Sequence, residues 1–183
     1  KVDGKFKFWG GLCVEAWGGG PGLVQTELEI AQKNHIDVLF ECRVLSLLYD
    51  DEKVYGVKVR QQGKVKELTA KSVVLAAGGF EANAEMRTRY LGPGWELAKV
   101  RGTRYNTGDG IRMALDIGAM PYGNWSGCHS VGWDFNAPPY GDLEVGDNFQ
   151  KHSYPLGIIV NADGKRFVDE GADFRNYTYA KYG

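Results

Sequence analysis

The order of hydrophobic and polar positions predicts one helix followed by several strands. In GLVQTELEIAQKN, residues 22–34, apolar residues recur at helical spacing after a cluster of Gly and Pro, so a helix is predicted from about residue 22. The apolar, β-branched run IDVLFE, residues 36–41, predicts a strand after it. Residues 43–70 hold short, partly alternating runs separated by polar, hairpin-sized segments, which predicts an antiparallel meander.

From residue 72 the alternation gives way to a continuously apolar run. SVVLAA, residues 72–77, is typical of a strand covered on both faces, and it ends in Gly78-Gly79. FEANAEMRTRYLG then predicts a helix that ends at a Gly-Pro pair. GDGIRMALDIGA predicts a further helix, capped by Asp109 and closed by Gly118. The pattern therefore places a buried central strand before two helices.

No clear period runs from Met120 to Pro155, a stretch rich in Gly, Pro, Asn and aromatic residues that we call the aromatic loop. Loops that long in compact proteins are more often functional than inert. After it, residues 156–170 predict a β-hairpin with a turn from Asn161 to Gly164. The chain opens on no capped element and stops within FRNYTYAKYG, so we expect an internal fragment of a longer protein.

Composition narrows the class of protein. The 183 residues are 43% hydrophobic, enough to bury a core. With 22 basic and 23 acidic residues and no basic stripe, neither nucleic acid nor anionic lipid is a predicted partner. No apolar segment approaches the roughly 18 residues of a membrane span, and the first residues lack the apolar core of a secretion signal. A cytoplasmic location is therefore predicted.

The three cysteines, Cys13, Cys42 and Cys128, lie far apart in the sequence. They form no C-x-x-C pair that would hold a metal or exchange a disulfide, and no metal site is predicted. We expect them to be buried as small hydrophobic residues in a reducing compartment.

The glycine pair Gly78-Gly79 has two interpretations. It can form a tight turn or a close helix crossing. It can also admit a flat or phosphorylated ligand at the carboxyl end of a strand, where open α/β sheets bind cofactors. The other glycine cluster, WGGGPG at 17–22, does not have the G-x-G-x-x-G spacing. The pair alone does not decide between the two interpretations.

A second motif is NTGDGIRMALDIGA, residues 106–119. Thr107 and Asp109 can cap a helix, which is the commonest use of such residues. Alternatively, Gly108 and Gly110 clear space around Asp109 so that its carboxylate accepts hydrogen bonds from ligand hydroxyls. Two glycines beside one acid exceed what a cap needs.

Three motifs in order, VVLAAGGF, NTGDGIRMALDIGA and IIVNADGKRFVDE, resemble the flavoprotein subunits of fumarate reductase and succinate dehydrogenase. The segments FWGG, EAWGGGPGLV and ADFRNYTYAKYG resemble the FAD-dependent tricarballylate dehydrogenases in particular. The resemblance covers nearly the whole chain. It implies an α+β fold class: part of a Rossmann-like α/β FAD-binding domain with a β-meander in residues 1–122, and part of an α+β capping domain over the substrate in residues 123–183.

The resemblance also implies FAD as the cofactor and a set of residues that bind it. Gly78 and Gly79 would admit the flavin against backbone. Thr107 and Asp109 match the family's Thr-Gly-Asp-Gly motif, whose acid contacts the flavin nucleotide. Val44 would lie where strand backbone meets the adenine.

On the substrate side the resemblance assigns two catalytic residues. His129 falls where the family has a His that holds a substrate carboxylate, although Ser130 stands where Pro is usual; a lone His among aromatics is otherwise a packed or surface residue. Arg175 is the candidate for the family's Arg that passes a proton to the substrate. It stands one residue further from the preceding Glu than in the family's usual Glu-x-x-x-Arg spacing. To act as an acid or base, an Arg needs burial beside other cations, because its pKa is normally above ~12. Arg166 is instead expected to be a salt-bridged hairpin residue.

The implied activity is an FAD-dependent oxidation or reduction of a carbon-carbon bond in a dicarboxylate or tricarboxylate. Hydride would move to or from flavin N5 while Arg175 relays the proton, and an electron-transfer partner is a further expectation. The isolated chain is expected to be colourless and inactive. Two alternatives stay open: a 3-ketosteroid dehydrogenase-like flavoenzyme, and a non-catalytic module that grips a ligand with the aromatic residues of 125–140.

Overall fold

The computed structural model describes residues 16–128, 131–151 and 154–170, in two units that divide between Arg43 and Val44. In the first unit, the helix predicted from residue 22 is present as α1, Gly19–Lys33. It begins after Gly18, whose φ is 80°. A Cβ at Gly22 would lie 1.8 Å from the carbonyl oxygen of Trp17, so only glycine fits at that point of the first turn.

The strand predicted over residues 36–41 is wrong. These residues form no strand, and their apolar side chains at Ile36, Val38 and Phe40 are 59%, 45% and 67% exposed. The backbone has positive φ at His35, just before the run, and at Glu41, its last residue, with values of 55° and 53°, so the chain turns at both ends. Among the described residues no strand pairs with this segment. The apolar run indicated a strand, but a strand also needs a partner, which such a run does not supply.

The predicted meander is confirmed as a three-stranded sheet of order β1-β2-β3. The strands are β1, Cys42–Tyr49, β2, Val54–Gln61, and β3, Lys64–Thr69. β2 and β3 are antiparallel, with Val57 opposite Leu68. Gln62 and Gly63 join them with φ values of 50° and 75°, and two such residues make the twisted turn that suits a two-residue hairpin. Within β2, Val59 is 1% exposed and lies in the core.

The buried central strand predicted over residues 72–77 is also wrong. The segment is not a strand, and Val74 is 87% exposed. Its apolar side chains indicated burial, but no described strand forms a ladder with it. Its close neighbour is the helix of the second glycine motif: a Cβ at Gly110 would lie 3.2 Å from the Cβ of Ala77.

The two helices predicted after this segment are present as α2, Ala84–Leu91, and α3, Asp109–Asp116. The cap assigned to Asp109 is wrong: Gly108, with φ 78°, is the N-cap residue, and Asp109 is the first residue of the helix. Gly108 takes that place because the chain enters α3 through a left-handed residue. Gly118, with φ 87°, follows the end of α3, and its N–H donates to the Leu115 carbonyl.

The aromatic loop has local order in its described parts. Trp133 and Gln150 form an isolated antiparallel bridge, and residues Gly146–Phe149 form a short 3-10 helix. In the hairpin that follows, the predicted turn is present, with the Gly164 N–H donating to the Asn161 carbonyl at 3.0 Å. Its strands are reduced to one bridge, Val160 with Arg166.

Helices and an antiparallel sheet in one chain confirm the predicted α+β class. The domain boundary predicted between residues 122 and 123 stays a prediction. No helix among the described residues is both long and apolar enough to cross a membrane.

Candidate functional site

The two glycine motifs that the sequence analysis singled out lie against each other. The Gly108 N–H donates to the Gly79 carbonyl at 3.0 Å, and the Ala82 N–H donates to the Asn106 carbonyl at 2.9 Å. These backbone bonds join residues 78–83 to residues 106–110, and we call the two segments together the glycine platform. Four of the five predicted cofactor-binding residues belong to it: Gly78, Gly79, Thr107 and Asp109.

Asn83 joins the platform to α2. Its Oδ1 accepts from the Met86 N–H at 3.1 Å and caps the helix, while its Nδ2 donates to the Thr107 carbonyl at 3.0 Å. One side chain therefore fixes both the start of a helix and the backbone of the second glycine motif. The sequence analysis did not name Asn83, although an Asn directly before a helical run is a recognisable N-cap signal.

Two glycines of the platform have a left-handed backbone and close neighbours within the chain itself. Gly78 has φ 71°, and a Cβ there would lie 2.8 Å from Oδ1 of Asn106. A Cβ at Gly108 would lie 2.5 Å from Sδ of Met86, a buried residue of α2. The near neighbour of Gly78 is thus a side chain of the chain itself, that of Asn106. Contact with a ligand stays a prediction.

The platform nevertheless fits a flavin nucleotide in its chemistry. Gly78 is exposed, so its backbone is accessible without an intervening side chain. Asp109 is half-buried in the first turn of α3. There a carboxylate is stabilised by the helix dipole, and it is the acceptor that ribityl or ribose hydroxyls need.

Val44, the fifth predicted cofactor-binding residue, lies on β1 and is half-buried. The next residue along the strand is tied to α3, because Nη2 of Arg112 donates to the Leu45 carbonyl at 3.1 Å. This bond connects the strand of Val44 with the helix that begins at Asp109.

Arg87 on α2 holds the platform to the segment that follows the helix. It is only 7% exposed, and its guanidinium donates to four backbone carbonyls. One acceptor, Glu81, belongs to the platform. The other three, in and beside a short 3-10 turn, are Trp95, Glu96 and Ala98. A buried guanidinium needs such acceptors, since an unpaired buried charge is costly.

Aromatic rings connect the platform to the aromatic loop. The ring of Tyr90 on α2 lies 5.4 Å from that of Phe80, the residue directly after Gly79. The same Tyr90 ring lies 4.9 Å from the ring of Trp125. Lys99, which precedes the loop, also binds it: its ammonium group donates to the carbonyls of Phe135 and Ala137. Sequence reasoning missed these contacts, because they join residues far apart in the chain.

The two predicted catalytic residues, His129 and Arg175, lie outside the described residues. The hairpin between them contains an ion pair, in which Nη2 of Arg166 donates to Oε2 of Glu170 at 2.6 Å. Glu170 is 4% exposed and also accepts from the Ile159 N–H at 2.6 Å. The Arg166 guanidinium, aided by that backbone bond, lowers the pKa of Glu170 to about 2. Arg166 therefore has the structural role expected of it, opposite a carboxylate that sequence reasoning did not single out.

Of the cysteines expected to be buried, Cys42 is half-buried and Cys128 is exposed, while Cys13 lies outside the described residues. The expectation is wrong for Cys128, since the part of the aromatic loop just before it, residues 120–127, is mostly exposed. Partial desolvation still raises the pKa of the Cys128 thiol.

Comparison with known proteins places these residues in a family. A family model described as FAD binding domain matches residues 8–181. The probable fumarate reductase Ifc3 of Shewanella frigidimarina is 32% identical over 82% of this chain and 25% of its own length. The 3-oxosteroid 1-dehydrogenase of Mycolicibacterium smegmatis is 29% identical over 81% of this chain and 26% of its length.

A solved structure agrees with the sequence comparisons. The open conformation of a flavocytochrome c3 fumarate reductase superposes with a TM-score of 0.65 at 29% identity, covering 90% of this chain and 27% of that one. The chain thus spans about a quarter of the length of these relatives. The predicted cofactor, FAD, and the predicted resemblance to fumarate reductase flavoproteins are both confirmed. With both glycine motifs inside the matched residues, the chain belongs to the FAD binding domain family of flavoproteins.

Proposed function

We propose that the protein is an FAD-dependent oxidoreductase that oxidises or reduces a carbon-carbon bond beside the carboxylates of a dicarboxylate or tricarboxylate. The observation that carries the proposal is the backbone bond between Gly79 and Gly108, which joins two separate glycine motifs in a chain of an FAD-binding family. The names of its relatives, which include fumarate reductases, support the substrate class.

On the cofactor side, the platform residues bind and orient. Gly78 and Gly79 offer backbone that is not covered by a side chain of their own. Asp109 accepts hydrogen bonds from nucleotide hydroxyls, and Thr107 lies beside it in the same segment. FAD, when bound, supplies the two-electron chemistry, so the protein contributes orientation and charge placement.

On the substrate side, His129 and Arg175 grip carboxylates, and Arg175 moves a proton to or from the substrate carbon. A planar guanidinium suits this role because it binds carboxylates in pairs and keeps its charge. Cationic donors also stabilise the negative charge that spreads from the carboxylate in the transition state. The segments FWGG, EAWGGGPGLV and ADFRNYTYAKYG favour a tricarboxylate such as tricarballylate.

The test uses the full-length protein and two matched Arg variants. Arg175→Lys should lower turnover of fumarate or tricarballylate by about 10²- to 10³-fold, the usual effect of losing one transition-state donor. Its FAD content, read from the flavin absorption band, should stay that of the parent. The control is Arg166→Lys, a substitution of the hairpin residue that pairs with Glu170, and it should keep normal turnover. Normal turnover in Arg175→Lys contradicts the assignment, and purified protein without flavin contradicts the function.

A second candidate is a 3-ketosteroid dehydrogenase-like enzyme. It is favoured by the relatives named 3-oxosteroid 1-dehydrogenase and by a 3-ketosteroid Δ1-dehydrogenase structure at 30% identity with a TM-score of 0.59. Such a substrate calls for an apolar pocket with Tyr acids rather than His and Arg. Turnover of a 3-ketosteroid, with none of fumarate, succinate or tricarballylate, would replace the first candidate by this one.

A further inference from the structure

The rings of Phe80, Tyr90 and Trp125 form a continuous contact, which we call the aromatic tie. The two neighbouring pairs have centroid separations of 5.4 and 4.9 Å and interplanar angles of 50° and 56°. Tilted rings at these separations have the geometry that aromatic pairs prefer. The tie begins at the residue after Gly79 and ends in the aromatic loop.

Trp125 anchors its part of the loop almost alone. Of residues 118–128, all of which the structure describes, it is the one that is not exposed. Tyr122, three residues earlier, is 88% exposed. The Trp125 indole N–H donates to the Tyr122 carbonyl at 3.1 Å, so the ring also fixes the local backbone.

Another aromatic pair of the same loop offers a direct contrast. Trp133 and Phe149 lie 5.8 Å apart at 54°, a geometry close to that of the tie. Both of these residues belong to the loop, so their contact does not join the loop to the platform. The difference between the two pairs is therefore their connection, not their chemistry.

We propose that Trp125 and Tyr90 are positioning residues, which hold the start of the aromatic loop against the flavin-contact segment. This rests on the proposed function, in which Gly78-Gly79 meets the flavin and His129, four residues after Trp125 in sequence, binds a substrate carboxylate. In this proposal the tie acts through Gly78-Gly79 and His129, and it takes no part in the chemical step itself. Its role is to keep the loop in register with the platform before substrate binds.

The experiment compares Trp125→Ala with Trp125→Phe and Trp133→Ala in the full-length protein. The first readout is amide hydrogen exchange. Trp125→Ala should raise exchange about two- to tenfold in residues 79–82 and 122–127, as expected from the loss of one aromatic contact. Trp125→Phe should restore most of the protection. Trp133→Ala should leave residues 79–82 unchanged.

The second readout separates positioning from chemistry. In Trp125→Ala the KM for the carboxylate substrate should rise by a similar factor, about two- to tenfold. The kcat should change less, and FAD content should stay that of the parent. Unchanged exchange at residues 79–82 in Trp125→Ala, or the same increase in Trp133→Ala, overturns the proposal. A parent protein without flavin contradicts only the proposed function, because the exchange measurement needs no cofactor.

Discussion

The glycine platform and the aromatic loop are held in place by different kinds of contact. The two segments of the platform are joined by backbone hydrogen bonds, and the buried residues Gly108 and Met86 pack beside these bonds. The described loop has backbone bonds of its own, such as that from the Lys151 N–H to the Gly132 carbonyl. It adds charged contacts near the surface, with Lys99 bound to backbone carbonyls and Lys151 paired with Asp134. Phe135 in the loop is 89% exposed.

This difference predicts that the platform is the more rigid region and the loop the more adaptable one. Buried backbone bonds are weakly screened and have few alternative partners, so they favour one arrangement. Exposed charged contacts are screened by salt and exchange readily with water. A cofactor-binding segment benefits from the first property, and a loop that meets substrate benefits from the second.

The largest expected effect comes from Arg87, which links the platform to the segment before the loop. Arg87→Met removes a buried guanidinium from four carbonyls. Hydrogen bonds to charged groups contribute about 1.5–3 kcal/mol each. The free energy of unfolding should therefore fall by at least about 3 kcal/mol in urea titrations. Arg89→Met, the same change at an exposed position of α2, is the control and should have little effect. Equal losses in the two variants would show that Arg87 does not hold the platform.

A smaller effect is expected from Gly108→Ala. An alanine there must adopt a left-handed backbone, which costs roughly 1–2 kcal/mol of folding stability. Its Cβ also overlaps buried Met86, which costs roughly another 1–3 kcal/mol. Gly118→Ala is matched to it, because Gly118 also has positive φ, 87°, but a Cβ there meets nothing within 4 Å. Gly118→Ala should lose only the backbone contribution. A difference near zero between the two free energies of unfolding would mean that Met86 moves aside and that the platform is less rigid than its packing indicates.

The features that could be predicted from the sequence are those that depend on local residues. The meander, the helices and the turn at Gly164 were predictable, because each depends on residues adjacent in the chain. Asp109 was misjudged as a cap by one position, since Gly108 in front of it takes the left-handed conformation.

Longer-range features were not predictable. The exposed runs at 36–41 and 72–77 have strand composition, but a strand also needs a partner, and composition does not say whether the chain supplies one. Proximity of the two glycine motifs was implied by a family resemblance and not by either motif alone. Arg87, Glu170 and the aromatic tie depend on contacts across the fold that no local pattern indicates.

The smallest expected effect concerns Asp134 in the aromatic loop. Its carboxylate lies 2.7 Å from Nζ of Lys151, and the hydrogen bond from Lys151, together with the Asn136 N–H, lowers the pKa of Asp134 below the usual 3.8. Because the pKa is lowered in the folded state, the contribution is present above pH 3.8 and is lost as pH falls through the folded value. Asp134→Asn should shift the urea midpoint less than Gly108→Ala does at pH 7. That shift should shrink further in high salt, because Lys151 is exposed and Asp134 is only half-buried. It should vanish at low pH, where the carboxylate is protonated. A shift that persists under both conditions would show that the loop is held by buried contacts as the platform is, and the contrast between the two regions would not stand.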